Sequence, residues 1–558
     1  MSDDDELLWG RIGDAGVVGR AFEDLPVGAT VLEGPEHRFV AANAAYRAMV
    51  GRQDIIGMPV REAFPELLGQ QLFEAVDSIY ASGEPYSMRG WRMHVTFDES
   101  GPQEIFLDVD LVPRRAADGT VHGILCTLRD ATQEVRQRLA AQEQARVAER
   151  RFEQARDVIA ALQRELLPHG LPVLPRVRIA GSYLLADADT AAGGDWFDAV
   201  ALPDGRIGLV VGDVVGHGVA ASAVMGQLRA IVAERLSAGA AIPDALGAVD
   251  AAAGRIRGAR AATVCVAVLD PADGALSYCT AGHPPPLLLP AGGEPRYLPV
   301  TGAGPLGVGA RFTVGADRLE LGDVVLLYTD GIIERPGREV AASTVELAQV
   351  AADTVAGRAF QTAQTSPVER ACTQTLEMLV RATGHADDIT LLAAQRIDPQ
   401  PDLELTVPAQ VSAVGVIRAV IWSWLEEVGA AVDDVFTVQH VVGELVTNAV
   451  EHAYGVEPGP DAAEVTVRAQ LTAAGQLQVE VTDRGRWRDG DVGPDPVPSD
   501  SLASGRGRGL AMSRELTDEL HVDGRSDGTT VTVVHRLSRP ARLLTAADPE
   551  TGELARGL

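Results

Sequence analysis

Aspartates that recur at the ends of apolar runs constrain this chain more than any other feature. The run 207–211 reads as a buried strand and leads into Gly212-Asp213-Val214-Val215-Gly216-His217-Gly218, a glycine-punctuated turn ahead of an Ala-rich helix. Asp195 lies in Gly193-Gly194-Asp195-Trp196-Phe197-Asp198, Asp330 follows the apolar run 324–328, and Asp387 and Asp388 precede the run 389–394. A single Gly-Asp pair is ordinarily just a turn. Four strand-end acids are instead what a hard divalent ion requires, because magnesium and manganese prefer oxygen ligands. Two such ions roughly 3.5 to 4 Å apart lower the pKa of a bridging water and stabilise displacement at phosphorus. No cysteine or serine nucleophile is then needed.

A chain of 558 residues exceeds one core, and at about 100 to 200 residues per domain it should hold three or four domains. With 46% hydrophobic and 23% charged residues it is globular in composition. Its 78 acidic residues against 48 basic ones leave a net charge of -30, which repels nucleic acid and anionic membrane, so neither is an expected partner. The N-terminus has no signal-peptide pattern, and Arg418 interrupts the most apolar stretch, 413–425. A cytoplasmic protein is expected. Cys126, Cys265, Cys279 and Cys372 show no CxxC spacing and read as reduced, mostly buried thiols.

In residues 21–133, the segments 29–32 and 37–41 read as strands around the turn Glu33-Gly34-Pro35, followed by a helix from an Asn43 N-cap to Gly51. Alternating strands at 103–109 and 121–128 flank the turn Ala117-Asp118-Gly119. This order, with Asn43-Ala44-Ala45-Tyr46 and Ile55-Ile56-Gly57, resembles a PAS domain, which implies sensing or dimerisation. There is no flavin-photochemistry cysteine motif, and His122 reads as a plain strand position rather than a haem ligand. Residues 131–167, highly charged and free of Gly and Pro, predict one long helix. Phe152, Ala155, Ile159, Leu162 and Leu166 form an apolar seam along it. The seam fits a parallel homodimer and fits packing on the neighbouring domain equally well.

Five ordered motifs, Gly193-Gly194-Asp195, the 212–218 turn, Ala281-Gly282-His283-Pro284-Pro285, Tyr328-Thr329-Asp330-Gly331 and Asp387-Asp388-Ile389-Thr390, resemble metal-dependent PPM-type Ser/Thr phosphatases of the RsbU/SpoIIE branch. The resemblance implies two Mn2+ or Mg2+ ions, with Asp213 bridging them and the Val214 carbonyl as a further ligand. Asp330 and Asp387 would complete the second site, with Asp388 an alternative to Asp387, and Asp195 would be a ligand or support one. His217 and His283 sit in Gly/Pro-rich turns, which favours structural parts over acid/base ones. The branch also implies that the entering helix acts as a switch, which puts the regulatory junction at 162–168, where Pro168 ends the helix.

Beyond the proline-rich linker 398–402, residues 439–453 form an amphipathic helix with Glu444, Asn448 and His452 on one face. Asp483-Arg484-Gly485 ends an alternating strand, Gly505-Arg506-Gly507-Arg508-Gly509 opens a helix, and Gly528-Thr529-Thr530 precedes the last strand. Together these resemble the GHKL ATP-binding fold of RsbW/SpoIIAB-type anti-sigma kinases. The likeness implies that Asn448 ligates the Mg2+ of ATP and that Glu444 is the base for the acceptor hydroxyl. It puts Asp483 on the adenine amino group, Thr530 near adenine, and Gly485, Gly507 and Gly509 in the nucleotide loops. Arg486 and Trp487 depart from the glycine that many members have there, which leaves a module without kinase activity as the alternative. A histidine kinase is disfavoured, because the connecting helix has no histidine to phosphorylate.

The expected architecture is a multidomain α+β chain. It comprises a leader (1–20), a PAS sensor (21–133), a helical linker (134–170), a PPM-type αββα sandwich (171–396), a GHKL α/β sandwich (403–540) and a tail (541–558). The expected substrate is a separate phosphorylated anti-anti-sigma protein of STAS type, with a sigma factor as a further partner.

Overall fold

The computed structural model describes residues 13–69, 72–96, 102–168, 170–185, 193–359, 365–453, 463–485, 508–525 and 528–544. The chain divides into two compact units, Met1–Glu153 and Gln154–Leu558. Among the described residues no helix is long and apolar enough to cross a membrane.

The first unit carries helices α1 (Ala15–Glu23), α2 (Ala44–Met49) and α3 (Leu72–Ser82). Its strands are β1 (Gly28–Glu33), β2 (Arg38–Ala42), β3 (Tyr86–Thr96), β4 (Pro102–Arg115) and β5 (Val121–Asp130), in sheet order β2-β1-β5-β4-β3. Asn43 caps α2 as its position suggests: Oδ1 accepts the N–H groups of Tyr46 (2.8 Å) and Ala29 (2.9 Å), and Nδ2 donates to Val27 O (2.9 Å). One buried amide therefore ties the helix to the strand it packs on. Phe39, Ile124 and Val109 lie in the core. Cys126 is buried there too, which pushes its thiol up to about 12.

The division between the units falls within α4 (Thr132–Leu166), the long helix expected. Phe152 is exposed, whereas Leu166 lies against Gly226 and Leu167 enters the core of the second unit.

The second unit contains two facing sheets, and a third beyond them. The first has order β14-β11-β10-β9-β8 and comprises β8 (Asp195–Ala201), β9 (Ile207–Asp213), β10 (Thr263–Leu269), β11 (Ala275–Ala281) and β14 (Gly315–Arg318). Helices α5 (Val219–Ser237) and α6 (Ile242–Ala253) pack on it through Met225, Leu228 and Leu246. The second has order β13-β12-β15-β16-β7-β23 and comprises β7 (Val177–Leu184), β12 (Leu287–Leu289), β13 (Arg296–Tyr297), β15 (Val324–Tyr328), β16 (Ile389–Arg396) and β23 (Arg542–Leu544). It is covered by α7 (Val340–Val355) and α8 (Pro367–Thr383) through Leu347, Cys372 and Leu376. The capping box of Ser366 and Glu369 starts α8. Side chains from both sheets meet in one core, so the layers run helix, sheet, sheet, helix. Strands buried on both faces read as continuous apolar runs, which is why β9, β15 and β16 were visible in the sequence.

The third sheet has order β17-β18-β19-β21-β20, with β17 (Leu403–Pro408), β18 (Glu464–Leu471), β19 (Gln476–Asp483), β20 (Glu519–Arg525) and β21 (Gly528–Arg536). It buries one face against α9 (Val411–Val428) and α10 (Val432–Asn448), and α11 (Arg508–Leu516) follows. The alternation expected for a one-sided sheet is plain in β19, whose Leu477, Val479 and Val481 point inward.

The chain then returns to the two-sheet sandwich. β22 (Ser538–Arg539) pairs with β6 (Leu171–Pro172), and β23 adds a parallel edge strand to β7, Leu543 opposite Tyr183. Arg542–Leu544 was expected in a tail, yet it joins a sheet whose paired strand lies 360 residues earlier in the chain (543 − 183). Asp434 holds the return by accepting Ser538 N–H (2.6 Å) and Oγ–H (3.0 Å). The linker is pinned as well: Gln400 N–H donates to Pro175 O (2.8 Å), and Trp424 Nε1–H donates to Pro401 O (2.9 Å).

Candidate functional site

Asp195 opens β8 and Asp213 closes β9, and the antiparallel register sets them directly opposite each other. Asp330 follows β15, and Asp387 and Asp388 precede β16. Each facing sheet thus contributes carboxylates at one end. Close approach explains the glycines: a Cβ on Gly194 would lie 2.2 Å from the Val214 carbonyl oxygen, and one on Gly212 would lie 2.3 Å from the Trp196 ring.

The acids repel one another. Burial, then the charges of Asp213 and Asp388, hold Asp195 well above the carboxylate range, and a hydrogen bond from Thr329 offsets part of this. Burial, then Asp330 and Asp387, push Asp213 up to about 7, with a hydrogen bond to Asp195 acting the other way. Burial, then Glu334 and Asp387, raise Asp330. Among the described residues no three His, Cys, Asp or Glu side chains close into a ready-made cage. An all-oxygen donor set whose mutual repulsion a divalent cation would relieve nevertheless fits hard-ion chemistry.

Asp387 and Asp388 have different surroundings. Asp388 is buried, and its Oδ2 accepts Gly194 N–H (3.1 Å). Asp387 is exposed, and its Oδ1 accepts Asp388 N–H (2.8 Å). His217 is exposed in its glycine turn. His283 is buried and donates Nε2–H to Tyr328 O (3.1 Å), so Nδ1 accepts from Thr263 Oγ1 (2.7 Å). Burial lowers its pKa to about 3 and keeps it neutral, which agrees with a structural part. Sequence reading overlooked Thr329, Thr263, Glu334 and Ser222, whose Oγ–H donates to Gly193 O (2.7 Å) beside Asp195. The only signal for Thr329 was a small hydroxyl beside a strand-end aspartate.

In the third sheet, Asp483 ends β19, and its Oδ1 accepts Gly485 N–H (2.8 Å). Burial raises its pKa, opposed by the N–H groups of Gly485 and Thr529. Thr530 faces Thr482 across the ladder, hydroxyl to hydroxyl at 3.2 Å. Glu444 and Asn448 lie one turn apart on α10, and Glu444 Oε2 approaches to 2.6 Å from a Cβ built on Gly509. The expected single helix 439–453 changes pitch: Ala449–Ala453 is a π-helical turn directly after Asn448, a distortion frequent at functional sites. Gly507, Arg486 and Trp487 lie outside the described residues. The structure brings Glu444 to Gly509 and Asp483 to Gly485 and Thr529.

The folds and these sites define a chain with a PAS domain, a PPM-type phosphatase domain and a GHKL-type ATPase domain. Residues 22–136 match the family described as PAS fold, residues 203–397 match Stage II sporulation protein E (SpoIIE), and residues 407–535 match the histidine kinase-like ATPase domain. The serine-protein kinase RsbW of Bacillus pumilus is 33% identical over 144 residues, covering 25% of this chain and 86% of that protein. RsbW of Bacillus subtilis is 34% identical over 144 residues, covering 24% and 86%. The crystal structure of the RsbU and RsbW domains of Rv1364c from Mycobacterium tuberculosis is 46% identical, with a TM-score of 0.59, covering 67% of this chain and 99% of that one. The chain belongs to the family of RsbU–RsbW fusion proteins. PPM-type phosphatases are metal dependent and GHKL-type domains bind ATP.

Proposed function

We propose that this chain is a signal-responsive sigma-factor regulator whose phosphatase domain dephosphorylates a Ser/Thr-phosphorylated anti-anti-sigma protein of STAS type. The observation that carries the reading is the pairing of Asp195 with Asp213 on one sheet, facing Asp330 and Asp387 at the end of the other. Asp213, the Val214 carbonyl, Asp195, Asp330 and Asp387 would hold two Mn2+ or Mg2+ ions. When bound, such ions lower the pKa of a water and supply the nucleophile at neutral pH. The exposure of Asp387 favours it as the ligand, while Asp388 positions Gly194. His283, buried and hydrogen-bonded to Thr263 and the Tyr328 carbonyl, fits a structural part better than an acid/base one.

The ATPase domain acts in the opposite direction. Asn448 would hold the Mg2+ that arrives with ATP, Asp483 would accept from the adenine amino group near Thr530, and Gly485, Gly507 and Gly509 would shape the nucleotide loops. Glu444 takes the proton of the acceptor serine or threonine hydroxyl. A second reading, favoured by Arg486 and Trp487 where a glycine is common, makes this domain a nucleotide-dependent binder of sigma factor. Phosphate transfer from ATP that disappears in Asn448→Ala supports the kinase, whereas sigma-factor binding without transfer supports the binder. For the phosphatase, the full chain with Mn2+ should release phosphate from a phosphorylated STAS protein. An Asp213→Ala chain that kept full activity would refute the assignment.

A further inference from the structure

The carboxylates come from two different sheets, so something must fix one sheet end against the other at the tolerance a metal centre needs, within about 0.5 Å. Buried Thr329 is placed to do so. It sits between β15 and Asp330 on one sheet, and its Oγ1–H donates to Asp195 Oδ2 on the other at 2.7 Å. Thr390 N–H donates into the same Oγ1 at 2.9 Å. A hydroxyl has one proton. With the Thr390 amide on its lone pair, that proton is committed to Asp195 and the rotor is locked. Asp195 also stands directly opposite Asp213 in the antiparallel register, so an orientation imposed on it is passed straight to the paired acid. A second bridge runs parallel: His283, which follows β11, links Thr263, opposite Asp213, to the Tyr328 carbonyl one residue before Thr329.

We infer that Thr329 is a positioning residue for the metal centre, orienting the Asp195 carboxylate through its hydrogen bond to Oδ2. The inference rests on the metal-site reading above. Groups that orient ligands in this way are worth about 10- to 100-fold in metal affinity. Valine has the shape of threonine without the hydroxyl, and serine keeps the hydroxyl without the methyl.

Mn2+ is titrated by calorimetry into the nucleotide-free full chain, its Thr329→Val, Thr329→Ser and Asp195→Asn variants, and the Thr329→Val/Asp195→Asn double variant. Metal-free melting temperatures are recorded for each. Thr329→Val should weaken Mn2+ binding about 10- to 100-fold, and Thr329→Ser should stay within about threefold of the parent. The double variant should bind no worse than Asp195→Asn alone, because Thr329 acts through Asp195. Should Thr329→Val fail to fold, Thr329→Ala takes its place. The inference is overturned if the valine chain binds Mn2+ like the parent while Asp195→Asn does not, if valine and serine weaken it alike, or if the two losses simply add. An Asp213→Ala chain that binds Mn2+ like the parent would instead overturn the metal-site reading itself.

Discussion

The candidate metal centre and the candidate nucleotide site handle negative charge in opposite ways. In the first, Asp195, Asp213, Asp330 and Asp387 crowd the ends of two sheets, and burial together with neighbouring carboxylate charge raises the pKa of Asp195, Asp213 and Asp330. In the second, Asp483 is held by backbone N–H groups and Glu444 stands on a separate helix. A crowded set of acids needs cations of its own, whereas a dispersed set can wait for a cation that arrives on its ligand. The two activities should therefore depend on metal differently.

The sharpest way to break this contrast is to remove one acid from each site. Asp213→Ala should lower phosphatase turnover by at least about 10³-fold, since the ions contribute several kcal/mol and each 1.36 kcal/mol is tenfold. Its ATP affinity, followed with a fluorescent nucleotide, should not change. Asn448→Ala should weaken Mg-ATP binding by about 10- to 100-fold and leave phosphate release from a phosphorylated STAS protein intact. If either variant damaged both activities equally, the sites would not be separable.

A smaller effect is expected where the two domains join. Asp434→Ala leaves the Ser538 N–H unpaired, at a cost of about 1 to 3 kcal/mol. Denaturant melts should show a lower midpoint, and because β22 and β23 bind the return segment to β6 and β7, phosphatase signals should shift along with ATPase ones. The last effect concerns pH and develops only on acidification. His283 has its folded pKa lowered to about 3, so the unfolded chain binds a proton there that the folded chain does not. Its contribution is intact above about pH 6.5 and is lost as pH falls toward 3, by up to about 1.4 kcal/mol per pH unit. His283→Gln should flatten the stability curve across that window.

Much of this was legible in the sequence for a physical reason. Strands buried on both faces, such as 207–211 and 389–394, stand out as apolar runs, and an aspartate at their end is conspicuous. Asn43 was legible because an N-cap is a local device. What stayed hidden depends on contacts between distant segments. Thr329 is one of many threonines until Asp195 and Thr390 are folded beside it. Asp387 and Asp388 are adjacent and identical in kind, and only burial distinguishes them. The strand Arg542–Leu544 is three residues long, too short for any periodicity to register. The turn at Ala449–Ala453 carries helix-forming residues, so its change of pitch left no trace in the pattern.

The central claim is that the acids on the two facing sheets form one cation-binding centre independent of nucleotide. Calorimetric titration of Mn2+ into the nucleotide-free full chain, beside its Asp213→Asn variant, tests it most directly. The account predicts that the parent binds two ions and that the variant, deprived of the bridging carboxylate charge, loses tight binding of at least one. Two ions bound by the variant with the affinity of the parent would contradict it.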